Sequence, residues 1–175
     1  IRLGARPEII DIVYEGVNIK KMNNISNCEN NVEREFNLLA NDICIAVVGL
    51  IMPWKGQKTF IEAAKNVFKK YENCKFFIIG GVPSNSVAYA QDLKNLVDGL
   101  DIAKNVIFTG YREDVYCLKA RMDIIVHTAI EPEPFGRVII EAMALKKPVI
   151  ATAVGGTSLA PTGDRCRSGC CRYCW

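Results

Sequence analysis

Several things are scarce in this sequence, and each scarcity narrows what the chain can do. There is one histidine, His127, in 175 residues, so chemistry that shuttles protons among several histidines lacks its material. Apolar runs are short: the longest, such as 43–52, fall well below the roughly 20 residues that span a bilayer. No leader peptide is visible at the start, and no membrane-spanning segment is expected. Net charge is only +3, and much of it comes from Arg165, Arg167 and Arg172 near the end. So weak a field argues against a nucleic-acid partner. Internal repeats and low-complexity tracts are absent, as is the glycine pattern G-x-G-x-x-G, although a Gly80–Gly81 pair follows an apolar run.

Half of the residues are hydrophobic, which marks a globular chain with room for one core. Cys28, Cys44, Cys74 and Cys117 are scattered singly, as suits buried reduced thiols and a cytoplasmic protein. The order of elements is more telling. Strands are expected at 9–17, 43–51, 74–81, 105–110, 123–129 and 148–156. Helices are expected at 33–39, 57–71, 88–100, 113–122 and 136–145. The runs ICIAVVGLI and CKFFIIGG are apolar without alternation, as strands covered on both sides are. Strand and helix alternate, which specifies an α/β fold: a Rossmann-like parallel sheet with helices on both faces. Ligands in such sheets bind beyond the carboxyl ends of the strands. The division expected is an incoming segment and connection at 1–41, the Rossmann-like domain at 42–156, and a separate tail at 157–175.

The stretch EPEPFGRVIIEAMA, residues 131–144, carries the strongest chemical signal. Pro132 and Pro134 keep the residues before them extended, and Gly136 opens a helix. The backbone N–H groups of Phe135, Gly136, Arg137 and Val138 are expected to face outward there, and such an end suits phosphate. Glu141 lies further along the same helix beside an apolar stripe, where a carboxylate is costly unless it accepts hydrogen bonds. The two hydroxyls of a ribose could supply them. Glu133, ahead of the helix, could reach a sugar on the far side of the phosphate. The alternative pairs Glu141 with a lysine or arginine and leaves Glu131 and Glu133 in solvent. A second loop, GLIMPWKGQ at 49–57, places Gly49 and Lys55 between a buried strand and a helix. Lys55 either contacts phosphate or snorkels beside Trp54. His127 ends a strand at the same edge, as a donor to a sugar hydroxyl or as a structural residue.

Taken together, these segments resemble the C-terminal, donor-binding domain of retaining glycosyltransferases of the GT-B fold, the glycosyl transferases group 1 family. The resemblance covers about residues 9–156. It is carried by YEGVN (14–18), VVGLIMPWKGQKTFIEAA (47–64), VIFTGYREDV (106–115) and EPFGRVIIEAMALKKPVIATAVGG (133–156), the last with its two glutamates separated by seven residues. It implies one half of a GT-B fold and a nucleoside-diphosphate sugar as donor substrate, with no metal and no other cofactor. It further implies catalytic roles for Glu133 at the donor sugar and Lys55 at the departing diphosphate. The backbone of Phe135, Gly136, Arg137 and Val138 would hold sugar and diphosphate, and Glu141 the ribose. Gly49 and His127 would line the site, and backbone near Tyr111 and Arg112 would touch the base. The partner implied is an N-terminal acceptor-binding domain of the same protein, without which the fragment is expected to be inactive. The full-length protein would be cytoplasmic or peripheral at the inner face of the membrane.

Two departures stand out. Leu50 occupies a position where many relatives carry arginine. After VGG, the family pattern gives way to TSLAPTGDRCRSGCCRYCW, whose Cys166, Cys170, Cys171 and Cys174 lack the two separated pairs of a structural zinc site. A non-native or disordered tail is expected there. Three other functions compete with the transferase. A stand-alone nucleotide-sugar-binding or regulatory module would have no catalytic partner. A sugar-nucleotide epimerase is disfavoured by the single histidine, and a nicotinamide dehydrogenase by the missing glycine fingerprint.

Overall fold

The computed structural model describes residues 16–23, 25 and 28–155. The expected strand at 9–17 and the expectations for the tail lie outside, or almost wholly outside, the described residues. Two short helices come first, α1 (Ile19–Asn23) and α2 (Glu29–Glu35). Strand and helix then alternate: β1 (Ile43–Val48), α3 (Gln57–Phe68), β2 (Cys74–Ile79), α4 (Val87–Gly99), β3 (Val106–Gly110), α5 (Val115–Arg121), β4 (Ile124–His127), α6 (Arg137–Ala144) and β5 (Val149–Ala151). The strands form one parallel sheet in the order β3-β2-β1-β4-β5. The chain leaves the centre at β1 toward β3, then returns to β4 beside β1, so the crossover loops open at the middle of the sheet.

Side chains along β1 alternate between two cores, as the twofold period of a strand requires. Cys44, Ala46 and Val48 point to one face with Leu118 and Met122 near α5 and Ile139 and Ala142 of α6. Val47 points to the other with Phe60, Ile61 and Ala64 of α3 and Leu93 and Val97 of α4. Helices therefore cover both faces, and this is the physical reason that the β1 and β2 runs carry no polar alternation.

Several elements are shorter than their apolar runs suggest. The run at 43–51 stops pairing as β1 at Val48, and Pro53–Lys55 forms a 3₁₀ turn before α3. The helix expected at 33–39 lies at Glu29–Glu35, because Asn37 adopts a left-handed conformation (φ 50°) and Leu38 N–H folds back onto Glu33 O at 2.9 Å. The expectation of four isolated reduced thiols needs correction. Cys28 and Cys117 are joined in a disulfide, because α2 packs beside α5 and closes a separation of 89 residues. Cys44 and Cys74 are free and buried as expected, and burial pushes the Cys44 thiol up to about 11. Among the described residues, no helix is long and apolar enough to cross a membrane.

Candidate functional site

The start of α6 faces the loop after β1 across a cleft of about 470 Å³. Its walls include Lys55, Lys119, Glu133, Phe135, Gly136 and Glu141, with Arg137 and Val138 beside them. Two glycines make the approach possible. Gly136 takes a left-handed conformation (φ 73°, ψ 49°) at the N-cap of α6 and turns the chain from the proline-rich loop into the helix. Gly56 is also left-handed (φ 71°), and a Cβ placed there would lie 1.9 Å from Thr128 O. No other residue lets the loop after β1 pass so close to the end of β4. The two loops are further joined by Thr128 Oγ1 donating to Lys55 O (3.0 Å) and Ile130 N–H donating to Trp54 O (2.9 Å).

At one end of the cleft, Glu133 Oε2 accepts from Lys55 Nζ at 2.8 Å and lies 2.7 Å from His127 Nε2. The histidine is buried, and among the described residues its Nδ1 has no hydrogen-bond partner. The bond from His127, aided by Lys55, holds the Glu133 carboxyl at about 2 despite the opposing effect of its burial. Lys55 also lies over the Trp54 ring at 4.1 Å, so it contacts the tryptophan and projects into the cleft at once. Gly49 sits beneath the Lys55 stem, 3.7 Å from its Cδ to where a Cβ would be. A parallel bridge from Glu133 to Gly155 anchors the glutamate's backbone to the segment leaving β5.

At the other end, Glu141 is buried and paired. Its Oε2 accepts from Lys119 Nζ, while its Oε1 is approached by Tyr116 OH at 3.3 Å and Arg137 Nη2 at 3.4 Å. Burial pushes the Lys119 ammonium below its usual value, and the Glu141 carboxylate opposes that. The structure therefore pairs Glu141 with cations, the alternative drawn from sequence. It leaves one oxygen tightly held and the other loosely held.

The structure thus brings Lys55, Glu133, Phe135, Gly136, Arg137, Val138 and Glu141 to one cleft, with Gly49 and His127 directly behind it. Tyr111 and Arg112 are not among the cleft's walls. Tyr111 is 75% exposed, next to Gly81. Arg112 is bound to Asp114 (2.7 Å) and Glu35 (2.5 Å), which raise its pKa beyond the usual guanidinium range. Glu131 is exposed. Lys119 and Tyr116 went unnoticed in the sequence. A signal for Lys119 existed: it shares a short helix with buried Leu118 and Ala120, an unusual place for an ammonium.

A family model described as glycosyl transferases group 1 matches residues 29–159. The chain is 31% identical over 163 residues to D-inositol 3-phosphate glycosyltransferase of Mycobacteroides abscessus, covering 92% of this chain and 35% of that protein. The enzyme of the same name from Gordonia bronchialis is 31% identical over 176 residues, covering 93% and 36%. The chain therefore spans about a third of the length of these relatives. Among solved structures, HepE of Anabaena in complex with UDP superposes with a TM-score of 0.81 at 29% identity, over 91% of this chain and 43% of that one. The C-terminal domain of a glycosyl transferase group 1 protein (LpcC) from Francisella tularensis superposes with a TM-score of 0.70 at 28% identity, over 81% and 72%.

Proposed function

Because this chain belongs to the glycosyl transferases group 1 family, we propose that it is the donor-binding half of a retaining, metal-independent glycosyltransferase. Its substrate is a nucleoside-diphosphate hexose, and an acceptor-binding domain of the same protein completes the enzyme. The observation that carries this reading is the convergence of Lys55, Glu133 and Glu141 on the N-terminal end of α6. A helix start offers N–H donors and the positive end of a dipole to a diphosphate. Lys55, 2.8 Å from Glu133, stands where it can turn to the phosphate oxygens as charge develops on them. Glu133 accepts hydroxyl protons of the sugar, and Glu141 accepts those of the ribose. That HepE of Anabaena was solved with UDP and with UDP-glucose supports the substrate class.

In the transfer itself, the bond from the anomeric carbon to the diphosphate oxygen breaks, and a bond from that carbon to the acceptor oxygen forms on the same face. The acceptor proton passes to the departing diphosphate. Lys55 and the amides of Phe135, Gly136, Arg137 and Val138 stabilise the negative charge left behind, a task a metal would otherwise perform. The backbone near Tyr111 and Arg112 contacts the base. The isolated chain binds donor without transferring it.

Calorimetry with UDP, GDP and ADP, alone and as their sugars, tests this reading. Binding of one nucleotide, weakened in Glu141→Ala, is the expected result. Binding of none, or robust transfer by the chain alone, would overturn it.

A further inference from the structure

We propose that Lys119 is a positioning residue for the nucleotide site, clamping Glu141 so that its loosely held oxygen is offered to the two hydroxyls of a ribose. The inference rests on the reading that this cleft takes a nucleoside diphosphate.

Lys119 is 2% exposed, between buried Leu118 and Ala120 in the sequence of α5. An ammonium so deeply buried needs a matched anion. It has one in Glu141 Oε2, 22 residues away in sequence and on another helix. The neighbouring Tyr116 ring, 5.5 Å from the ammonium, adds a weaker contact. The pair differs from a generic buried ion pair because Glu141 divides its oxygens. Oε2 faces inward to Lys119, whereas among the described residues Oε1 is met at the longer distances of Tyr116 OH (3.3 Å) and Arg137 Nη2 (3.4 Å), the Arg137 side chain being 57% exposed. Long, poorly fixed bonds are those a ligand hydroxyl can replace.

Without the ammonium, the carboxylate would be left buried beside Arg137 as its principal cation. It would then turn outward toward that guanidinium and present the diol with a misplaced acceptor. Lys119 thus acts on the ribose through Glu141 and touches no part of the ligand itself. The specificity it confers is for an intact ribose over a 2′-deoxyribose.

The test is calorimetry on the chain with UDP, GDP and ADP, each beside its 2′-deoxy counterpart. Wild type is expected to favour one ribonucleotide by about tenfold over its deoxy form, the worth of one good hydrogen bond to a charged group. Lys119→Met should bring that ratio close to one by weakening the ribonucleotide alone. An unchanged ratio would overturn the inference and leave the nucleotide site standing, and so would equal weakening of both forms, the mark of a merely structural role. Failure of wild type to bind any of the six would overturn the parent reading and this inference with it. Should Lys119→Met not fold, Lys119→Gln carries the test. As a neutral donor one bond shorter it should show a ratio between those of wild type and one, and an unchanged ratio there would also overturn the inference.

Discussion

Glu133 and Glu141 bound the same cleft and are each held by a lysine, yet they are held in different ways. Glu133 sits on a loop, is 12% exposed in its side chain, and shares one oxygen between Lys55 and His127. Glu141 sits inside a helix and faces Lys119, whose side chain is 2% exposed. The first pair lies where water and ligand can replace its bonds. The second links α5 to α6 behind the cleft. The difference is one of support: Glu133 is held by groups at the cleft's edge, whereas Glu141 is held by a lysine buried behind it.

The contrast can be broken most forcefully at Lys119. Lys119→Ala strands a buried carboxylate, and urea unfolding should show a loss of about 3–5 kcal/mol. Glu133→Ala should cost less, about 1.5–3 kcal/mol, because Lys55 regains water when its partner goes. Ligand binding should separate the two glutamates more sharply. Glu141→Ala is expected to weaken a nucleoside diphosphate by about tenfold. Glu133→Ala should leave that affinity unchanged and weaken only the nucleotide sugar, which a paired titration of UDP and UDP-glucose would reveal.

Acid sharpens the same comparison. The Glu133 carboxyl is held at about 2, below its ordinary 4.5. A depressed carboxylate stabilises the fold fully above its unfolded value, and that contribution is lost as pH falls from about 4.5 toward about 2. Thermal midpoints of wild type should therefore fall more steeply across that window than those of Glu133→Gln. The smallest effect is expected at Arg112. Its pairs with Glu35 and Asp114 lie at the surface, so Arg112→Ala should cost no more than about 1 kcal/mol and leave both glutamates as they were.

Much of this arrangement was legible in the sequence because its signals are local. The runs at 43–48 and 74–79 read as doubly covered strands, since most of their positions are buried on one face or the other. Pro132, Pro134 and Gly136 announced the start of α6 through their own backbone constraints. What stayed hidden depends on partners distant in sequence. Nothing near Lys119 indicates that it meets Glu141, and nothing near Cys28 points to Cys117, because helix packing makes both meetings. The boundary of α2 was missed for a local reason: Asn37 turned left-handed and ended a helix that hydrophobic spacing would have prolonged.

The stitching of two loops around Gly56 has a thermodynamic consequence. Lys55 and Glu133 belong to segments joined by hydrogen bonds at Thr128 and at Ile130. Their relative geometry is therefore fixed before any ligand arrives, and little chain entropy remains to be lost on binding. Loosening that seam, as Gly56→Ala would, should make donor capture slower and entropically less favourable, although no atom of the binding surface has changed.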